Sequence, residues 1–435
     1  MSPLEIGYAG VLALVLLIFL RVPVAIALIL PSIVGVWAII GSRASWGLLR
    51  STPYEIGGNW SLSSIPMFLL MGYVCYHARL TDGLFRASRA WLSALPGGLG
   101  ISTIAGAAVF SAVSGSTTAC AAAMGRIAVP EMIKERYNPG FAASICAVGG
   151  TLGSMIPPSI VMIIYGTFAE VPIGQLFIAG IVPGLLSAAM FSLVIILISW
   201  LRPDICPPSN STVTWGDRFR ALGDTWPVVL LIAGVLGGIF TGTFSATEAG
   251  AVGAFFAIVI ALVRGNLTGA ILSTAMIETA RMTATILIIA IGAALFTRFL
   301  ALSGVATHFS ELAILYATSP LVLVIGVALV YLLLGMFLDP LGIMLLTLPL
   351  LLPAFNAVGI DLIWMGILVV KFLEIGLITP PVGLNLFVMQ AIVGREASID
   401  RIAKVLVWFI LADLCTMALL IAFPSIVVFL PSLLG

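Results

Sequence analysis

Read as a string of apolar and polar positions, the chain alternates long apolar runs with short clusters of charge. Runs of about 18 or more apolar residues have the length of a membrane-crossing helix, whereas the strands of an outer-membrane barrel alternate over about 10. Candidate spans fall at 4–20, 22–40, 61–77, 140–168, 176–201, 227–243, 246–263, 283–301, 362–394 and 405–433. Two segments, 97–133 and 320–355, are too long for one span, and each is interrupted near its centre. The interruptions read SGST (Ser114 to Thr117) and LDP (Leu338 to Pro340). Each segment is predicted to be a re-entrant hairpin, two helices meeting at a tip.

Two spans carry an unusual weakness. GTLGSMIPPS (Gly150 to Ser159) holds two glycines and a proline pair, and EIGLITPPVGLN (Glu374 to Asn385) repeats the pattern. In hydrocarbon, a backbone N–H or C=O freed by such a break costs several kcal/mol unless protein or a ligand meets it. The two stretches are related by a gapless shift of 223 residues, which carries Pro130 to Pro353, Gly153 to Gly376 and Pro157-Pro158 to Pro380-Pro381. The same shift carries span 22–40 onto 245–263 and the first hairpin onto the second. The chain is therefore read as two copies of one unit, 1–201 and 227–435, joined by a linker at 202–226.

Charge orients the copies. With the N-terminus outside and the hairpins not crossing, the inside loops hold Arg21, Arg79, Arg86, Arg89, Lys134, Arg136, Arg202, Arg218, Arg220, Arg264, Arg281, Arg395, Arg401 and Lys404, while the outside loops hold Arg43 and Arg50. Both termini are then periplasmic, and the copies have inverted topology, an arrangement characteristic of secondary transporters. The expected fold is an all-α polytopic membrane protein of two inverted repeats, each with a hairpin (97–133, 320–355) and a broken helix (140–168, 362–394). Amphipathic stretches at 79–93, 267–281 and 396–404 read as interfacial linkers.

Composition narrows the function. The chain has 435 residues, 61% hydrophobic and 9% charged, and a mean hydropathy of +1.23, outside the range of soluble domains. A net charge of +1 without a basic tract excludes nucleic acid as a partner. Two histidines, His77 and His308, and the absence of HExxH, GxSxG or Walker A patterns leave a membrane enzyme without machinery. Cys75, Cys120, Cys146, Cys206 and Cys415 form no CxxC pair and read as small core residues. No basic region precedes the first apolar run, so the first span is expected to be retained. A self-sufficient dicarboxylate or proton-antiporting transporter, and a membrane scaffold, remain as rival readings.

The stretches SSIPMFLLMG (63–72), VSGSTTACAAAMGRIAVPEM (113–132), GTLGSMIPPSIVMIIYG (150–166), LFIAGIVPG (176–184), GMFLDPLGIM (335–344) and EIGLITPPVGLNLFV (374–388) are similar to the large membrane subunit of tripartite ATP-independent periplasmic (TRAP) transporters, nearly end to end. The resemblance implies sodium-coupled uptake of an organic acid by an elevator-like movement of the hairpin-bearing domain in the bacterial inner membrane. It also implies two partners, a small membrane subunit on a separate chain and a periplasmic substrate-binding protein. Sodium is the coupling ion, and no other cofactor is expected.

Candidate residues follow from those motifs. Ser114, Ser116 and Thr117 at the first tip offer the hard oxygen ligands an alkali cation prefers, or else cap the two helices. Asp339 is the matching residue of the second tip, a carboxylate at membrane depth or a helix cap ahead of Pro340. Gly150, Thr151, Gly153 and Ser154 in one break, and Gly376, Thr379 and Asn385 in the other, complete the expected sodium sites, mostly through carbonyls. Ser159, with the loop at Pro158 and Pro381, is expected at the substrate, the prolines holding the loop extended. Arg298 is expected to meet a substrate carboxylate, with an interface anchor as the alternative. Arg126 is read as snorkelling, and Lys371 as paired with Glu374.

Overall fold

A computed structural model describes residues 1–207, 213–316 and 319–434, and the described residues contain helices and no strand. The first half runs α1 (Pro3–Phe19), α2 (Val24–Ile40), α3 (Ser42–Gly57), α4 (Ser64–His77), α5 (Asp82–Leu92), α6 (Gly98–Ser114), α7 (Thr117–Lys134), α8 (Pro139–Met155), α9 (Ile160–Phe168) and α10 (Ile173–Leu201). The second runs α11 (Trp215–Gly223), α12 (Trp226–Phe240), α13 (Ala246–Val263), α14 (Gly269–Ser303), α15 (Val305–Tyr316), α16 (Pro320–Gly335), α17 (Pro340–Val358), α18 (Leu362–Ile378), α19 (Leu384–Val393), α20 (Ile399–Ala422) and α21 (Ser425–Leu434). Six helical stretches, α8 and α9 together counting as one, are long and apolar enough to cross a bilayer.

The starts of these helices follow local chemistry. Ser2 and Glu5 form a capping box on α1, Thr214 and Asp217 another on α11, and Ser245 and Glu248 a third on α13. Asn138 caps α8 and Asp361 caps α18 at equivalent places, each side-chain oxygen accepting from backbone amides of the first turn. Shifting 139–155 by 223 gives 362–378, the bounds of α18, and shifting 117–134 gives 340–357, one residue short of α17. Packing repeats in crossed form. Helix α2 lies against α14 while α13 lies against α4, and α8 lies against α20 while α18 lies against α10. Each contact joins one half to the other.

Sequence reading and structure part at several connections. The stretch 267–281, expected as a separate interfacial linker, is the first part of the 35-residue α14, because nothing between Ala270 and Ile291 breaks a helix. The stretch expected at 79–93 does hold a separate helix, α5 (Asp82–Leu92), since the chain turns at Arg79 in the left-handed region (φ 52°). The segment after α2, expected as a loop, is the helix α3, which tolerates Pro53. The single span expected at 405–433 divides into α20 and α21 at Phe423 and Pro424, where proline cannot continue the ladder.

At the centre lie α8 and α18. Every residue of α8 after Pro139 is buried, as is all of α18 from Met365 onward. Both helices are thus enclosed on every face by the rest of the bundle.

Candidate functional site

Both expected breaks exist, and both expected tips pack on them. Helix α8 stops at Met155 and α9 resumes at Ile160, while α18 stops at Ile378 and α19 resumes at Leu384. The Pro157-Pro158 and Pro380-Pro381 bonds are cis in both. At the first tip, Gly115 is left-handed (φ 60°), and extended Ser116 caps α7 by accepting from the Ala119 amide at 3.4 Å.

Glycines allow three backbones to meet there. A Cβ added to Gly153 of α8 would lie 2.7 Å from the Ser116 carbonyl oxygen, and one on Gly115 would lie 2.8 Å from that of Pro158. One on Gly72 of α4 would lie 3.1 Å from the Ser114 oxygen. The hairpin tip, the break and α4 are thus in main-chain contact, which side chains at these positions would prevent.

The second tip is built alike with different residues. Gly335 at the end of α16 faces Gly376 of α18 so closely that a Cβ on either would lie within 2.7 Å of the other's Cα. The Gly383 amide donates to the Met336 carbonyl at 3.3 Å, tying this break to its tip. Asp339 caps α17, Oδ1 accepting from the Leu341 and Gly342 amides at 3.1 and 3.0 Å.

Each tip therefore gathers helix ends, whose first N–H and last C=O groups have no intrahelical partner and carry partial charge. The length of the hairpin helices sets the depth. Helices α7 and α8 are joined at 134–139, and each runs about 25 Å from that junction at 1.5 Å per residue. Tip and break meet at a common depth inside the bundle.

The breaks differ in exposure. Pro157, Pro158 and Ser159 are buried, whereas Pro381 is exposed and Val382 lines a cavity of about 840 Å³. That cavity lies between α1 and the start of α2 on one side and α16 and α17 on the other, with Arg21 at its edge.

Comparison with known proteins decides the family. The profile of the tripartite ATP-independent periplasmic transporter DctM component matches residues 11–426. The chain belongs to this family. It is 34% identical over 384 residues, 88% of each chain, to the C4-dicarboxylate TRAP transporter large permease protein DctM of Pseudomonas aeruginosa. It is 32% identical to the ectoine large permease TeaC of Halomonas elongata (96% of this chain, 97% of that one), and 29% identical to the sialic acid large permease SiaM of Vibrio cholerae (96% of each). Among solved structures, the Alcanivorax borkumensis YdaH transporter matches with a TM-score of 0.60 at 16% identity, covering 89% of this chain and 90% of that one. Neisseria gonorrhoeae MtrF matches at 0.62 and 13%, covering 86% and 83%. At such identities the likeness concerns the fold alone.

In this DctM chain the expected site residues sort by what their polar atoms already do. Ser116, Ser159 and Asp339 cap helices, Ser159 accepting from the Met162 amide at 3.3 Å. Thr151 and Thr379 donate back to the Val148 and Ile375 carbonyls at 2.7 and 2.6 Å. Gly150 and Gly153 make room for Ala121 and Ser116. Thr117 begins α7 and is buried. Two oxygens are left over: Ser114 Oγ and Asn385 Oδ1 are buried without a hydrogen-bond partner among the described residues.

Arg298 is not brought to the tips by its hydrogen bonds. Its guanidinium donates to Thr52 Oγ1 at 2.8 Å and pairs with Glu55, both on α3, so its anion here is the chain's own carboxylate. Arg126 is exposed and donates to the Tyr76 hydroxyl at 3.1 Å. Lys371 does pair with Glu374, at 3.2 Å, and also with Asp413 of α20, all three being wholly buried. Ser154 joins this cluster, its Oγ 3.2 Å from Glu374 Oε1. Sequence reading missed Asp413, whose signal was a lone acid inside the apolar run 405–433.

Proposed function

We propose that this DctM component imports an organic acid, a carboxylate of the C4-dicarboxylate or sugar-acid kind, together with sodium ions. The observation that carries this reading is the packing of each hairpin tip on a broken helix through glycine main-chain contacts, with the buried Ser114 Oγ at the first tip lacking a hydrogen-bond partner among the described residues. Sodium is a hard cation that takes oxygen ligands, and Ser114 Oγ and Asn385 Oδ1 fit it, with carbonyls at Ser116, Thr151, Gly153, Gly376 and Thr379 as the further donors. The substrate's place is beside the breaks, at Ser159 and the backbone of Pro158 and Pro381, where amides beginning α9 and α19 favour an anion. The substrate class is supported by the relatives, whose names include C4-dicarboxylate and sialic acid.

Movement follows the same reasoning. The two copies have inverted topology, and the tips, breaks, α10 and α20 travel as one body past a frame of α1–α4 and α12–α14. The cavity beside Val382 extends to Arg21, in a loop that the positive-inside rule places in the cytoplasm. A small membrane subunit and a periplasmic substrate-binding protein complete the system, and both termini are periplasmic. The test is uptake into proteoliposomes with both partners present and sodium varied. Sigmoidal sodium dependence is expected. A Hill coefficient near one contradicts coupling to more than one ion, and uptake without the binding protein contradicts the tripartite assembly.

A further inference from the structure

Two pairs of an acid with a basic side chain lie apart from the tips and breaks. Arg298 of α14 holds Glu55 and Thr52 of α3. Nearer the start of α14, Glu278 Oε2 is 2.9 Å from Nε2 of His77, at the C-terminal end of α4. The acids occupy one position of the repeat, because Glu55 shifted by 223 is Glu278. Their partners do not: Arg298 shifted back falls on Cys75, two residues before His77.

Each pair crosses between the halves, Glu55 and His77 belonging to the first and Arg298 and Glu278 to the second. From 278 to 298 along one helix is about 30 Å at 1.5 Å per residue, the thickness of the hydrocarbon core. The pairs therefore mark opposite faces of the membrane. All four side chains are partly exposed, from 23% for His77 to 50% for Glu55. Exposed pairs contribute little to folding, so their use lies in where they hold the helices.

We propose that Glu55 and Glu278 are positioning residues for transport. Each fastens the segment that follows the second span of one copy to the third span of the other, one pair per face. Helices α2–α4 and α13–α14 thereby form a single frame, locked at both faces, against which the tip-bearing helices move. The proposal rests on the moving-body reading given above.

The test uses the complete transporter with its partners in proteoliposomes. Glu55→Gln and Glu278→Gln are expected to lower the maximal uptake rate about two- to five-fold, the span of a weak ion pair, with half-saturation by substrate and sodium unchanged. Exchanging the charges, Glu55→Arg with Arg298→Glu, is expected to restore the rate. Wild-type rates in both single variants, or changed half-saturation, overturn the proposal.

A second measurement survives poor expression of those variants. Cysteines at 55 and 298, or at 77 and 278, with Cys415→Ser, are joined by a flexible bis-methanethiosulfonate, each end of which forms a disulfide with one cysteine and releases sulfinate. Uptake is expected to persist, and loss that reductant reverses would show that the pair must open. The moving-body reading fails separately, if a cross-link between Val24 and Gly342 leaves uptake intact.

Discussion

Lys371 Nζ lies 3.2 Å from Glu374 Oε2, and both side chains are wholly buried. The ammonium also donates to Ser187 Oγ of α10 at 2.9 Å and pairs with Asp413 of α20, while Glu374 reaches Ser154 of α8 at 3.2 Å. One cation therefore links four helices, among them both that carry a break. The ammonium donates to Glu374 and Ser187, while the Asp413 carboxylate, close enough to pair with it, has no hydrogen-bond partner among the described residues.

The cluster has two acids and one base, which makes its members unequal. Lys371→Met leaves two buried carboxylates without a cation, and a loss of about 3–5 kcal/mol is expected. Asp413→Asn leaves one acid with one base and is expected to cost about 1 kcal/mol. Denaturation of the purified protein in detergent ranks them, and a Lys371→Met protein as stable as Asp413→Asn contradicts this account.

The close approach of tip and break predicts sharp sensitivity to one methyl group. Gly153→Ala would push Ser116 away, costing about 1–3 kcal/mol and raising the sodium concentration for half-maximal uptake. Gly237→Ala, whose Cβ meets nothing within 4 Å, is the control. Equal sodium dependence in the two would remove the backbone contact from the ion site.

Ser114 and Ser159 separate ligand from cap. Ser114→Ala breaks no hydrogen bond, so stability should hold while sodium affinity falls about tenfold, equivalent to about 1.4 kcal/mol. Ser159→Ala removes the α9 cap and is expected to cost about 1 kcal/mol of stability. Thermal denaturation and sodium titration of uptake together check both outcomes.

Glu55 gives a pH signature. Its hydrogen bond with Arg298 holds its carboxyl below the usual carboxylate range. A lowered folded-state value means the stabilisation is present above the unfolded value, about 4.3, and is lost as pH falls through the folded one. The stability difference between wild type and Glu55→Gln should be constant at neutral pH and vanish in acid below that range. A difference that grows on acidification would contradict the pairing.

What the sequence displayed depended on locality. Breaks at 156–159 and 379–383, tips at Gly115 and Asp339, and the 223-residue shift are written in glycine, proline and polar residues close together in the chain. Partners distant in sequence were not visible. Arg298 looked like a free cation because Glu55 lies 243 positions away, and Asp413 looked incidental because its base is on another helix. The long α14 was hidden by hydropathy, since its amphipathic start and apolar remainder look like two elements although its backbone is continuous.

Whether the hairpin-bearing body moves past the frame is tested most directly at Val24 and Gly342. A Cβ at Gly342 of α17 would be 3.4 Å from Val24 Cγ2 of α2, so side chains at the two positions are in contact and a cysteine pair there is tested for disulfide formation. Uptake by the Val24→Cys, Gly342→Cys transporter with its partners in proteoliposomes is measured after oxidation and again after reduction. The account predicts that oxidation abolishes uptake and reduction restores it; full uptake by the verified oxidised protein would contradict it.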